Sequence, residues 1–263
     1  MLLNPMVPNT SQSAPSELLP YGLLATRQWL TAQGMSRHRL DNALKSGKFT
    51  ALTRGVVARS GVPVTWQGLA DSLHRMQPGA VYVGGISALE RAGLAHYLRP
   101  LPHAHLYSAE PEPAWLKRLD LGATLTWHST RRLWLPGGLQ RSGCLREVKD
   151  SNGWPYLIAS PEQAYLEVLA DVPEAVSFEH ADQLMQGLTS LSPRRLDALL
   201  SVCRHVKVKR LFFFFADRHR YPWLKRLDRS AYDLGSGKRV VARGGRLDSD
   251  YLITVPDAFH GSE

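Results

Sequence analysis

The stretch GMSRHRLDNALKSGKF, residues 34–49, sets Arg37, His38, Arg39, Asn42, Lys45 and Lys48 around an apolar stripe of Leu40, Ala43 and Leu44, between two glycines. At 100° per residue the stripe gathers on one side of a helix, and His38, Asn42, Lys45 and Ser46 lie opposite. Ser36 can cap the helix, Met35 just before it can pack on Leu40 as a hydrophobic staple, and Gly47 ends it. Taken alone, such a face is an ordinary solvated surface. Its neighbours decide whether it is more.

Upstream, SELLPYGLL and TRQWLTAQG read as two short helices, with Thr26 as an N-cap and Gly34 as a stop. Downstream, FTAL and VVAR are β-prone runs joined through Thr53, Arg54 and Gly55, which reads as a hairpin. Three small helices followed by a basic hairpin is the order of a winged helix-turn-helix. In that motif the second helix of the pair enters the major groove, where Arg pairs with guanine and Asn with adenine. His38, Arg39 and Asn42 are the leading candidates for base contacts. Ser36, Arg37, Lys45 and Lys48 suit phosphates, and Arg54 at the hairpin tip suits the DNA backbone or minor groove.

Turn signals at RSGVP, 59–63, divide the chain. The expected plan is α+β: a flexible tail over 1–16, the winged helix-turn-helix over 17–62 and a mixed α/β domain over 63–263. At 263 residues and 44% hydrophobic content the chain can fill such cores. No repeat is visible, which argues against a solenoid. The N-terminus lacks the basic and apolar regions of a signal peptide. LFFFFA at 211–216 is far shorter than the ~20 residues that cross a bilayer, so a cytoplasmic protein is expected. Two cysteines, Cys144 and Cys203, rule out a disulfide framework or a Cys-rich zinc site and read as reduced thiols.

The net charge of +9 is unevenly spread. Seven Lys/Arg face two acids over 17–62, the body to 203 is nearly neutral, and thirteen Lys/Arg face three Asp over 204–246. A polyanionic partner follows from such segments.

The second unit mixes periods. TWQGLADSLHRM is helical, AVYVGG is a strand entering the helix ISALERAG, and AHLYS and ATLTWHST are strands. SPEQAYLEVLAD has Ser160 as cap, Pro161 at the first position and Gln163 to close a capping box. SPRRLDALLSVC repeats the Ser-Pro start. In the phenylalanine run, β-propensity competes with helical spacing of Val208, Leu211, Phe212, Phe215 and Ala216; a buried helix is favoured. The last segment, 231–256, reads as turns and short strands.

Several chemistries were weighed against plainer readings. GSGK at 235–238 fails as a phosphate loop, because Tyr232 stands where the first glycine belongs and Arg239 replaces the Ser/Thr; a turn presenting Lys238 and Arg239 is favoured. VGGIS at 83–87 could hold an anion at a helix start but lacks the dinucleotide pattern; a packing turn is favoured. His103 and His105 share one side of a strand, yet a third metal ligand such as His96 or His128 cannot be placed, so no metal and no cofactor are expected. Glu147-x-Lys149, with Asp120 upstream, is a distant nuclease alternative. The basic segment interleaves Lys207, Lys209, Arg210, Lys225, Arg226, Lys238, Arg239 and Arg243 with Tyr221, Trp223 and Tyr232. Such a mixture suits RNA, although aromatics at these spacings are more often core. An RNA-binding module acting through this surface is the first alternative function.

The ordered set of segments from LLPYGLL onward, VYVGGISALERAGLAHYL, IASPEQAYLEVL, HADQLMQGL, VKVKRLFFFFADRHRYPWLKRLD and DLGSGKRVVARGGRLDSDYLITVP resembles the AbiEi antitoxin family of bacterial type IV toxin–antitoxin systems. The similarity covers most of the chain after about residue 17. It implies a winged helix that binds inverted repeats in its own promoter as a repressor. It also implies a C-terminal domain that counters a nucleotidyltransferase-like toxin without a stable complex, in phage defence. The family supplies no catalytic residues that map onto this chain, so no enzyme is expected.

Overall fold

The computed structural model describes residues 18–77, 81–95 and 100–260. The expected tail, the start of the first helix at Ser16 and the candidate ligand His96 lie outside them. The N-terminal unit runs β1 (Leu24–Thr26), α1 (Arg27–Ala32), α2 (Arg37–Lys45), β2 (Phe49–Thr53) and β3 (Val56–Arg59). Thr26 and Ser36 cap α1 and α2 by accepting from the N–H groups of Trp29 and Arg39. Gly34 at φ +92° and Gly47 at φ +72° provide the turns before and after α2, in a region other residues avoid.

The strands form an antiparallel sheet in the order β1-β3-β2, Leu24 opposite Ala58 and Phe49 opposite Arg59. Helix, turn, helix and hairpin thus follow one another as in a winged helix-turn-helix. One expectation is corrected. The helix read across 16–24 does not run through: Leu18 is helical, but Pro20 and Gly22, at φ +76°, turn the chain into β1.

The period of two in this sheet has an energetic consequence. Ala25 and Val57 pack with Leu30, Met35, Leu40 and Phe49 under the two helices. Leu24, Val56 and Ala58 point the other way into the main core, against α3 (Trp66–Met76). Both faces are dry. The joint is close: a Cβ on Gly68 would stand 2.1 Å from the Gly22 carbonyl oxygen. Ser72 receives the Leu24 N–H at 3.0 Å and donates to Gly68 at 2.6 Å.

The body is a five-stranded sheet in the order β6-β5-β4-β8-β7. These are β4 (Val81–Val83), β5 (His103–Ser108), β6 (Thr124–Ser129), β7 (Leu145–Lys149) and β8 (Pro155–Ala159). The β5–β6 and β4–β8 pairs are parallel; β4–β5 and β7–β8 are antiparallel. The helices are α4 (Gly85–Arg91), α5 (Gly138–Ser142), α6 (Pro161–Ala170), α7 (Phe178–Gly187), α8 (Pro193–Val202) and α9 (Val206–His219).

Ser160 and Ser192 cap α6 and α8 above prolines at the first helical position. The capping box at Gln163 does not close, because the Ser160 N–H donates to the Cys144 carbonyl at 2.8 Å, while the Gln163 amide donates to Glu167. The phenylalanine run is a helix, α9, buried all round. Phe212 meets Trp223, Phe213 stacks on Tyr232, and Phe215 meets Phe178 and Phe259. The pair β9 (Arg246–Asp248) and β10 (Ile253–Val255) ends the fold.

Candidate nucleic-acid interface

Leu40 and Ala43 turn inward from α2, so its other face is left to solvent. There Arg39 and Asn42, one turn apart, line a groove of about 780 Å³. Its other wall is the end of α2 and the base of the hairpin: Ser46, Lys48, Arg59, Ser60 and, from the turn before β1, Tyr21. Asn42 Nδ2 and His38 Nε2 lie 3.0 Å apart. With the amide donating, the neutral imidazole carries its proton on Nδ1, facing outward as a donor. His38 and Asn42 are therefore one hydrogen-bonded unit on the exposed face. Ser36, Arg37 and Lys45 are exposed around it.

Arg54 is exposed at the hairpin tip, and the Arg27 N–H holds that tip by donating to the Gly55 carbonyl at 2.9 Å. The tip is the opposite end of the hairpin from Lys48, so Arg54 does not join the groove. Arg27 also pairs with Asp41, linking the two helices of the motif. Both partners are largely solvated, and such pairs contribute little to stability.

Tyr21, Arg59 and Ser60 were missed in the sequence. The Arg59 guanidinium lies 3.9 Å over the Tyr21 ring, which holds a long cation in one place at the rim. The usable signal was the hairpin register: once Phe49 pairs with Arg59, the arginine must stand beside the end of α2.

The C-terminal basic set divides in two. Arg210 is 1% exposed and donates to the carbonyls of Leu234, Gly237 and Leu252 at 2.6, 2.6 and 3.1 Å. Lys209 is buried as well. Lys207 reaches back to the carbonyls of Ala170 and Val172 beyond the end of α6. All three were expected on a free surface; Lys209 and Arg210 are corrected to interior positions, since the apolar run of α9 carries them inside, and Lys207 is half-buried with its ammonium engaged. Trp223 and Tyr232 are core and cannot stack on bases. Lys225, Arg226, Lys238, Arg239 and Arg243 are exposed.

The sites set aside resolve in instructive ways. The VGGIS turn does close on an acid, and the acid is the chain's own Glu167. Its carboxylate accepts from Gly85 N–H at 2.9 Å, Tyr82 hydroxyl at 2.7 Å and Gln163 at 2.8 Å. Burial pushes its pKa up to about 7, and those three donors pull it only part of the way back.

His103 and His105 stack at 4.3 Å, and His105 Nδ1 meets His128 Nε2 at 2.9 Å. His128 faces Asp171 at 3.5 Å, yet burial holds its pKa below the ordinary value. The His103 ring nitrogen Nε2 meets Thr126 Oγ1 at 2.8 Å. Among the described residues no group of three His, Cys, Asp or Glu is placed to hold a metal.

Glu147 lies on β7 and Asp120 precedes β6, at opposite edges of the sheet. Four strand spacings, about 19 Å, separate those edges, so the two carboxylates cannot share an ion. Both cysteines are free and buried.

No described helix is long and apolar enough to cross a membrane. Residues 103–256 match the family model described as "Transcriptional regulator, AbiEi antitoxin, Type IV TA system". Residues 11–100 match that of the "AbiEi antitoxin N-terminal domain". No curated protein matches the chain. Among solved structures, the Rv2827c protein from Mycobacterium tuberculosis is similar over 88% of this chain and 85% of that one, with a TM-score of 0.49 at 16% identity.

Proposed function

Because the chain belongs to the AbiEi antitoxin family of transcriptional regulators of type IV toxin–antitoxin systems, we propose that it represses its own promoter. In this reading α2 enters the major groove of inverted repeats. His38, Arg39 and Asn42 read bases; Ser36, Arg37, Lys45 and Lys48 hold phosphates beside the helix, and Arg54 holds the backbone at the hairpin tip. Arg59 joins the phosphate set. One recognition helix buries limited surface on DNA, so two copies occupy paired half-sites.

The observation that supports this most directly is the groove lined by the half-buried Arg39 and the exposed Asn42 beside Lys48 and Arg59. The C-terminal domain opposes a nucleotidyltransferase-like toxin functionally, without a stable complex, and the protein works in the cytoplasm without cofactor, metal or catalysis of its own. The test is a binding titration of the full chain with its own promoter fragment against a random duplex at matched salt. Preference for the promoter is expected; equal affinity rules the repressor out.

A further inference from the structure

A second cavity lies in the body, away from α2. It measures about 430 Å³, within the range of about 300–1,000 Å³ usual for small-molecule sites. Tyr82 and Trp134 give it aromatic walls, Leu135, Leu139 and Leu145 aliphatic ones, and Arg131 and Arg204 stand with Gln140 among its lining. The Tyr82 hydroxyl is committed to Glu167, so this ring offers the cavity its apolar body. Leu135 is 42% exposed at the rim and is the apolar side chain a ligand would cover.

The arginines come together through the backbone. Leu135 N–H donates to Val202 and Arg204 N–H donates to Leu133, both at 2.9 Å, joining the segment 131–135 to 202–204. The exposed guanidiniums of Arg131 and Arg204, far apart in the sequence, therefore meet at the cavity, and the exposed Arg132 follows Arg131 in the chain. Glu110, 4.0 Å from Arg131, offsets one of them. Arg204 makes no ion pair among the described residues. The α9 start has no side-chain cap and adds the positive end of a 14-residue helix.

The geometry points to a nucleotide site: an unpaired base enters the cavity against Leu135, over a floor closed by the buried rings of Tyr82 and Trp134, and the phosphates of its strand run over Arg131, Arg204 and the neighbouring Arg132. An apolar pocket accepts any base without reading its edge, and Gln140 supplies an amide that can meet that edge. One phosphate engages at most two of the three arginines. The remaining cation favours linked phosphates, hence a single strand over a free nucleotide. A duplex keeps its bases stacked and cannot place one in the cavity. This site does not depend on the promoter reading, since it shares no residue with the α2 groove.

The experiment measures fluorescence anisotropy of the full chain with a labelled ten-nucleotide adenine RNA, with its duplex against the uracil complement, and with AMP as competitor. Arg131→Glu/Arg204→Glu removes the cations. Gln140→Trp, at an exposed lining position, fills the cavity without touching the charges. The single strand is expected to bind at least about tenfold tighter than the duplex or AMP, and each variant to weaken it by about tenfold or more. Thermal melting and promoter-fragment binding should stay at wild-type levels in both. Single-strand binding unchanged in either folded variant, or equal binding of strand and duplex, overturns the proposal. AMP binding as tightly as the oligomer overturns the strand and leaves a free nucleotide in the cavity.

Discussion

Glu167 Oε2 lies 2.9 Å from the Gly85 nitrogen, so the first turn of α4 is closed by a carboxylate from α6. Gly85 takes φ +53°, and both glycines of the turn are packed too tightly for a side chain. Strand, turn and two helices thus meet on one fully buried acid. Ionisation of that acid should be visible in stability.

The pKa of Glu167 in the fold is about 7, above its ordinary 4.5, with burial as the cause. Folding therefore favours the protonated form. The stability this provides is complete below about 4.5 and is lost as pH rises through about 7. Urea titrations at pH 5 and pH 8 should show wild type losing about 2 kcal/mol more than Glu167→Gln over that interval. A wild type that gains stability relative to the variant refutes the assignment.

Gly84 tests the same contact from the backbone side. An added Cβ would stand 2.2 Å from Glu167 Oε2 and 2.7 Å from Tyr107 Cδ2. Gly84→Ala should cost roughly 1–3 kcal/mol, as overpacked sites do. In a Glu167→Ala background the cost should shrink, which a double-mutant cycle would report; strict additivity contradicts the contact.

Arg210 is a structural clamp, whatever the charge of its segment suggests. Arg210→Leu leaves three carbonyls without their donor and should destabilise by about 3 kcal/mol or more. Lysine cannot supply the planar fork, so Arg210→Lys should recover little of the loss. Chemical denaturation of both variants checks this, and a Lys variant as stable as wild type argues against the clamp.

At the DNA surface, base and phosphate contacts should separate. Asn42→Ala and Arg39→Ala should each narrow the preference for the promoter over random DNA by ~1–3 kcal/mol. Lys48→Ala and Arg59→Ala should weaken both DNAs alike and flatten the salt dependence by about 0.9 log units per log unit for each phosphate lost. Salt titrations that show the reverse pattern would exchange the two roles.

Charge reversal at the exposed Lys238, Arg239 and Arg243 should remove protection from the toxin in a growth assay and leave promoter binding intact. Full protection by that variant would take the antitoxin activity away from this surface.

The caps, the turn glycines and the helical period of the phenylalanine run were legible because each is a local property, carried within four or five residues. Ser36, Gly34 and Phe212 show this. Arg210 was not legible, because the three carbonyls it serves come from a segment 24–42 residues further on. The same limit hid the meeting of Arg131 and Arg204, which only backbone pairing brings together. The i, i+2 spacing of His103 and His105 correctly put them side by side, but their partner His128 arrives on a parallel neighbour strand. Glu147 and Asp120 failed for the converse reason: a tempting spacing was divided by the order of the strands.

The N-terminal sheet buries Leu24, Val56 and Ala58 in the main core and Ala25 and Val57 under α1 and α2. The unit proposed to read DNA is therefore packed on the body rather than tethered by a flexible link. In the proposed reading, with two copies on an inverted repeat, the distance between their α2 helices is set by the shape of the whole body. Inserting one base pair between half-sites rotates one unit about 34° around the DNA axis, and no slack in the chain can absorb that rotation.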